Sequence, residues 1–254
     1  MTLDIAVLLS IGRHPASGRS RRAENDARAL ELALNLGGRI HAIHAGDPGE
    51  LALRDYLGMG METLSVLRQP PGSDVVPPLA QHLALIRPTL VLTGSAAEQG
   101  PGSGMLPYLL ARQLDLPLLP AIAGIAISGS LLEALQALPR GRRRQLRANL
   151  PAIVTVDRAA PVPRQSAYAK ARRGIIEVID MPAGPKVSVE AREVAARVRP
   201  RRLKVMTGAS AAERLRAATE MQAGRGRLMV DPPADEAAEA IMDYLQSEGI
   251  LRRG

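Results

Sequence analysis

The sequence predicts a three-layer α/β/α protein, in which helices cover both faces of a mostly parallel, twisted sheet, with an antiparallel hairpin insertion and a C-terminal extension. Three observations predict it. Leu3 to Leu9 and Thr89 to Thr93 are short apolar runs, the pattern of strands buried on both faces. Segments with helical spacing separate such runs; Ala29, Leu32, Ala33 and Leu36 share one helix face. The connections between them are short, as in repeated β-α units.

Leu3 to Leu9 is the first strand, followed by a polar, basic segment from Ser10 to Arg22. Asn25 or Asp26 caps a helix that runs to Leu36, and Gly37-Gly38 stops it. Arg39 to Ala45 is the second strand, with Gly46-Asp47-Pro48-Gly49 as its exit. Glu50 to Leu57 is a short helix and Thr63 to Leu67 the third strand. Asp74 and Pro77 open a helix to Ile86, which ends before Arg87-Pro88. Thr89 to Thr93 runs into a glycine-rich loop from Gly94 to Gly104, then a helix from Met105 to Leu114. Ala121 to Ser128, Leu131 to Leu138 and Arg143 to Ala148 form an antiparallel meander, and Pro151 to Val156 returns to the main sheet. Two further helices are expected, Ser210 to Gln222 and Asp235 to Glu248. The main domain is placed at 1–180 and the C-terminal extension at 181–254.

Composition narrows the chemistry. The absence of cysteine excludes disulfides, thiolate metal sites and thiol catalysis. Aromatics make up 2% of the chain, too few for a module that stacks bases on exposed rings. The N-terminus lacks a basic region followed by a cleavage site, and no stretch approaches the roughly 20 apolar residues of a membrane span. A soluble, cytoplasmic protein without membrane insertion is the expectation. The four histidines, His14, His41, His44 and His82, are scattered, and His41 and His44 point to opposite faces of one strand. There is no nucleophile elbow, His-Glu-x-x-His or phosphate-binding Gly-Lys-Ser/Thr. No catalytic residue and no metal site is assigned.

The strongest local signal is the loop after Thr93. Gly100, Gly102 and Gly104 alternate with Pro101 and Ser103 directly before a helix. Glycines let backbone N–H groups approach an anion, and a helix N-terminus adds about half a positive charge. In open parallel sheets ligands sit beyond the carboxyl ends of the strands, here followed by Ser10, Ala45 and Gly94. Composition alone fits a phosphate cradle and an ordinary surface loop alike.

The net charge is +8, from 33 basic and 25 acidic residues. Its excess lies in three runs: Arg140 to Arg147, Arg164 to Arg173 and Arg197 to Lys204. Such runs serve as a solvated face, an acidic-protein contact or a nucleic-acid contact. Nothing resembling a recognition helix supports the last.

Leu150-Pro-Ala-Ile-Val-Thr-Val-Asp157, then Pro163-Arg164, Lys170-Ala-Arg-Arg173 and Ile176-Glu177-Val178 follow a familiar order. Together they resemble the beta subunit of electron transfer flavoprotein, with its Leu-Pro-Ala-Val-Val-Thr strand, Glu-Pro-Arg-Tyr loop and Lys-Ala-Lys-Lys segment. Asp26 to Leu34, Gly58-Met-Gly60, Thr89 to Gly94 and Ser103-Gly104 are similar to further family segments in the same order. The resemblance implies a Rossmann-like, adenine-nucleotide-binding fold and an electron carrier rather than an enzyme. It implies a heterodimer with an alpha subunit that carries FAD, serving a flavin dehydrogenase. It also implies AMP, or in some branches a second FAD, in the beta subunit. Carried over, that nucleotide meets Leu8, Ser10, Asp26, Ala45 and Gly94, and its phosphate meets Gly102, Ser103, Gly104, Met105 and Leu106. Partner docking falls on Pro163, Arg164, Tyr168 and Lys170, and the C-terminal extension wraps the partner subunit. Arg13 and Arg164 are the candidate cations near the flavin. The chain departs from the family pattern at Ala23-Glu24, Ser95 to Gln99 and Val162, in a shortened segment at Ser166 to Ala169, and at Arg140-Gly141-Arg142, where the family has an acidic turn. The rivals are a stand-alone adenine-nucleotide-binding protein of the stress-protein or ATP-using type and a nucleic-acid-binding protein.

Overall fold

The computed structural model describes residues 3–100, 102–186, 195, 210–213, 215 and 228–247. The chain divides into two compact units, Met1–Ala191 and Arg192–Gly254.

In the first unit, β1 (Asp4–Leu9) leads into a small antiparallel hairpin, β2 (Ile11–Arg13) and β3 (Ser20–Arg22), then α1 (Glu24–Leu36). β4 (Arg39–Gly46), α2 (Leu53–Leu57), β5 (Thr63–Arg68), α3 (Val76–Ile86), β6 (Leu90–Gly94) and α4 (Leu106–Leu114) complete the β-α alternation. β7 (Leu118–Ser128), β8 (Leu131–Ala137) and β9 (Arg143–Asn149) form the meander, with a short 3-10 turn at Pro139–Gly141. β10 (Ala152–Val156), α5 (Tyr168–Arg173) and β11 (Ile175–Asp180) follow. The described part of the second unit holds α6 (Ala234–Ser247).

Among the described residues, nine strands make one sheet in the order β11-β5-β4-β1-β6-β10-β7-β8-β9. The strands from β11 to β7 pair in parallel, and β8 and β9 add antiparallel. The chain builds outward from β1 through β4 to β5, then crosses back to place β6 on the other side of β1. Strand order therefore reverses between β1 and β6, where an open α/β sheet leaves a crevice.

The central strands are apolar without alternation because both faces are covered. Ile5, Val7, Leu90, Leu92 and Val154 pack with Leu30 and Ala33 of α1 on one face. Ala6, Leu8, Ile43, Val91 and Ile153 pack with Leu79, Leu83 and Leu110 of α3 and α4 on the other.

Several elements differ from the sequence expectation. The basic Ser10 to Arg22 segment contains the β2–β3 hairpin, whose three-residue strands are too short to show a period. The expected helix over Glu50 to Leu57 is confined to α2, with turns before it. β7 starts at Leu118 rather than Ala121. Its first residues pair with β10 and its later ones with β8, with a register shift on either side and a positive φ at Ala121. Pro117 and Pro120 hide this strand's beginning, since proline argues against a central strand. β11 pairs in parallel with β5 at the sheet edge, where partial exposure removes the buried-strand signature. α1 starts at Glu24 with Ala23 as its N-cap and no side-chain cap, so neither Asn25 nor Asp26 caps it. Most of the helix expected over Ser210 to Gln222, and the basic run Arg197 to Lys204, lie outside the described residues.

Candidate functional site

The first turn of α1 ties the carboxyl ends of β1 and β6 together. Asp26 is buried, and its carboxylate accepts the Ser10 N–H at 2.7 Å, the Ser10 hydroxyl, and the Gly94 N–H at 2.9 Å. Both strand ends thus place a backbone donor on one anion. Burial pushes the Asp26 carboxyl up to about 6, against the pull of the Ser10 and Gly94 hydrogen bonds. Beside it, the Asn25 side-chain amide donates to the Ser95 hydroxyl at 2.9 Å.

Tyr56 holds Ser10 from the other side. Its hydroxyl donates to the Ser10 carbonyl and accepts the Ala23 N–H, both at 2.8 Å. The ring is fully buried, and that burial raises the phenol well above its usual value. His44, at the end of β4, makes a 2.8 Å contact from Nδ1 to the Leu9 carbonyl. A carbonyl only accepts, so Nδ1 carries the proton, and burial lowers the ring's pKa, which favours its neutral form.

Above these strand ends lies a cavity of about 280 Å³. All ten residues expected to meet a nucleotide line it: Leu8 and Ser10 from the end of β1, Asp26 from α1, Ala45 from β4, Gly94 from β6, and Gly102, Ser103, Gly104, Met105 and Leu106 before and at the start of α4. The expected phosphate loop and the expected strand ends, up to 98 residues apart in sequence, therefore surround one space. Val75 and Leu79 from the start of α3 form a wall that nothing in the sequence marks. Ile43, Thr93, Ala96, Ala97 and Gln99 also contribute; strand adjacency and position in the loop are the signals that point to them. Among the described residues, no lysine or arginine lines the cavity. Among the described residues no group of three or more His, Asp or Glu is arranged to hold a metal.

The expected docking residues lie apart from this cavity, between β10 and β11. Tyr168 opens α5 and is 77% exposed; Lys170 is exposed and Pro163 half-buried. Arg164 is not a free cation. Its guanidinium forks onto Glu31 of α1, with Nε–Oε2 at 2.8 Å and Nη2–Oε1 at 3.0 Å, while its N–H donates to the same carboxylate. Arg13 donates from Nε to the Gln99 side-chain amide oxygen, Oε1, at 3.4 Å. In the meander, Arg147 pairs with Glu133 and Arg144 donates to Gln136, whereas Arg140 and Arg142 at the turn are exposed. No described helix is long and apolar enough to cross a membrane.

A mostly parallel open sheet with a glycine-lined cavity at its switch point, flanked by the first turns of α1, α3 and α4, defines a three-layer α/β protein of Rossmann-like architecture. Residues 17–183 match the electron transfer flavoprotein domain. The chain is 47% identical over 260 aligned positions to the electron transfer flavoprotein subunit beta of Chromohalobacter salexigens, covering 98% of this chain and 96% of that protein. It is 27% identical over 170 positions to the subunit beta of Bacillus subtilis, covering 61% of this chain and 65% of that one. The chain belongs to the electron transfer flavoprotein family, among its beta subunits. Neither rival reading is favoured by these relatives.

Proposed function

We propose that this chain is the beta half of a heterodimeric electron carrier, that FAD sits mainly on an alpha subunit, and that the beta chain's own cavity holds AMP. The observation that carries the AMP assignment is the cavity between the β1–β6 switch point and the start of α4. Its residues fit the group. Leu8, Ile43, Ala45 and Leu79 offer apolar contact to a purine, and the Gly102–Leu106 segment leads into a helix N-terminus suited to one phosphate. Among the described lining residues, backbone donors of the Gly102–Leu106 segment and the Ser103 hydroxyl are the groups that carry the anion, an arrangement suited to a single phosphate.

The flavin, when bound, supplies the redox chemistry. The chain's own part is to bind, shape and orient: Asp26 and Tyr56 fix the strand ends, and the rigid sheet presents the exposed segment from Pro163 to Lys170 to a dehydrogenase. Residues 181–254 clasp the alpha subunit, and the pair works in the cytoplasm.

Co-expression with an electron transfer flavoprotein alpha chain, purification and denaturation tests this. A yellow 1:1 complex that releases FAD and AMP supports the proposal. A complex that releases FAD alone removes AMP from the beta cavity. A colourless monomer that hydrolyses ATP overturns the carrier reading.

A further inference from the structure

The loop that roofs the cavity is held from outside it. Ala96, Ala97 and Gln99 line the cavity, and Glu98 between them does not. The Glu98 carboxylate instead accepts the Glu24 N–H at 2.7 Å through Oε1 and pairs with Arg21 Nη2 at 2.9 Å through Oε2. Glu24 is the first residue of α1, a helix without a side-chain cap of its own. A carboxylate at this end satisfies one of the helix's orphan donors and meets the positive end of its dipole. Three consecutive residues of α1 therefore grip one loop: Glu24 through Glu98, Asn25 through Ser95, and Asp26 through Gly94. Gly12 makes room for the outermost contact. A Cβ there would stand 2.5 Å from Glu98 Oε2 and 3.0 Å from the Ala23 Cα.

We propose that Glu98 is a positioning residue for the ligand cavity: its carboxylate, clamped between the α1 N-terminus and Arg21, holds the 95–100 segment against the cavity and slows ligand release. This rests on the reading that the cavity binds AMP. Glu98 acts through the loop and touches no ligand. Its pair with Arg21 is partly exposed, with side chains at 26% and 35%, so the backbone contact at Glu24 is the stronger half.

The test uses the full chain in complex with its alpha subunit, or the full chain alone if it is stable, and two readouts. The first is amide hydrogen exchange at Glu24, whose N–H is the one Glu98 accepts, with the Ser10 and Gly94 amides on Asp26 as internal controls. The second is the dissociation rate of AMP. Glu98→Ala is expected to raise both about tenfold, the scale of one lost charge-assisted hydrogen bond partly screened by water, while the control amides hold. Glu98→Gln keeps an oxygen for the Glu24 N–H and is expected to recover most of the effect. Gly12→Ala displaces the carboxylate without removing it and is expected to copy Glu98→Ala. Unchanged exchange at Glu24 overturns the clamp. Faster exchange with an unchanged AMP release rate overturns its role at the cavity. Wild-type protein that binds no AMP overturns the ligand assignment, and the exchange readout separates that failure from failure of the clamp.

Discussion

The Gly94 N–H donates to Asp26 Oδ1 at 2.9 Å, and a Cβ on Gly94 would collide with that same oxygen. The strand end and the helix side chain meet so closely that only glycine fits between them. The added carbon would also stand 3.0 Å from Asn25 Cβ and 3.2 Å from the Asp26 nitrogen, so the start of α1 crowds it as well. Gly94→Ala is expected to destabilise the chain by about 1–3 kcal/mol through overpacking and to widen the gap between β1 and β6. Urea unfolding midpoints at constant slope measure the first effect; weaker retention of the AMP proposed for the cavity measures the second.

Asp26 gives stability a distinctive pH dependence. Its carboxyl is raised from 3.8 to about 6 in the fold, chiefly by burial. A raised acid contributes stability that is complete below its unfolded value of 3.8 and is lost as pH rises through about 6. The shift corresponds to about 3 kcal/mol of differential interaction between the two protonation states, at about 1.36 kcal/mol per unit. Glu24 and Glu31 behave oppositely. Hydrogen bonds from Arg28 and Arg164 lower them, so their contribution is present above 4.5 and lost as pH falls through their folded values. His44, lowered by burial, also loses stability on acidification below 6.5. The difference between wild type and Asp26→Asn isolates the Asp26 contribution. Measured by urea unfolding from pH 7.5 to 5, it should move in favour of wild type on acidification; a flat difference would falsify the assignment. At pH 7.5 Asp26→Asn gains from losing the buried charge, but its amide nitrogen meets a donor where the carboxylate had an acceptor.

The Tyr56 hydroxyl closes the other side of Ser10. Tyr56→Phe removes one group that serves two buried partners, the Ser10 carbonyl and the Ala23 N–H. Leaving them unpaired is expected to cost about 1–3 kcal/mol with little change in packing volume. Thermal unfolding of the variant should show a lower midpoint, while the far-ultraviolet circular dichroism stays native.

These contacts mark where sequence reasoning reaches and where it stops. β1 and β6 are legible because both faces are buried and their middles, Ile5–Leu9 and Leu90–Leu92, are unbroken apolar runs. The loop before α4 is marked by three alternating glycines ahead of a helix, a pattern that in sequence alone fits a surface loop as well as an anion cradle; its place beside the strand ends comes from the fold. Asp26 was also visible, but an Asp near a helix start suggests a cap. Its actual partners lie 16 and 68 residues away, and only the folded sheet brings them together. Glu98 gave no local signal, because it serves a helix end 74 residues earlier in the chain. β11 was hidden by exposure along an edge strand, and α3's contribution to the cavity by the helix's otherwise ordinary apolar face.

Arg164 illustrates how a pairing changes a residue's role. As a lone cation beside a flavin it would raise the flavin's potential by favouring its reduced anionic form. The structure gives it a fork onto Glu31, whose side chain is 10% exposed against 44% for the arginine. The pair is close to neutral at a distance, and the Arg164 N–H adds a third contact to the same carboxylate. The arginine's work is to fasten the segment after β10 onto α1, with the Arg22 guanidinium donating to the Arg164 carbonyl at 2.9 Å. Arg164→Gln is therefore expected to lower stability by about 1–2 kcal/mol, a figure already reduced for exposure and screening. It should loosen the segment toward Tyr168 and, under the docking role proposed for that segment, slow electron transfer from a dehydrogenase. The flavin midpoint potential of the complex should stay where it is in wild type. A potential that moves on this substitution, with docking and stability unchanged, would return Arg164 to the flavin and discard the fastening role.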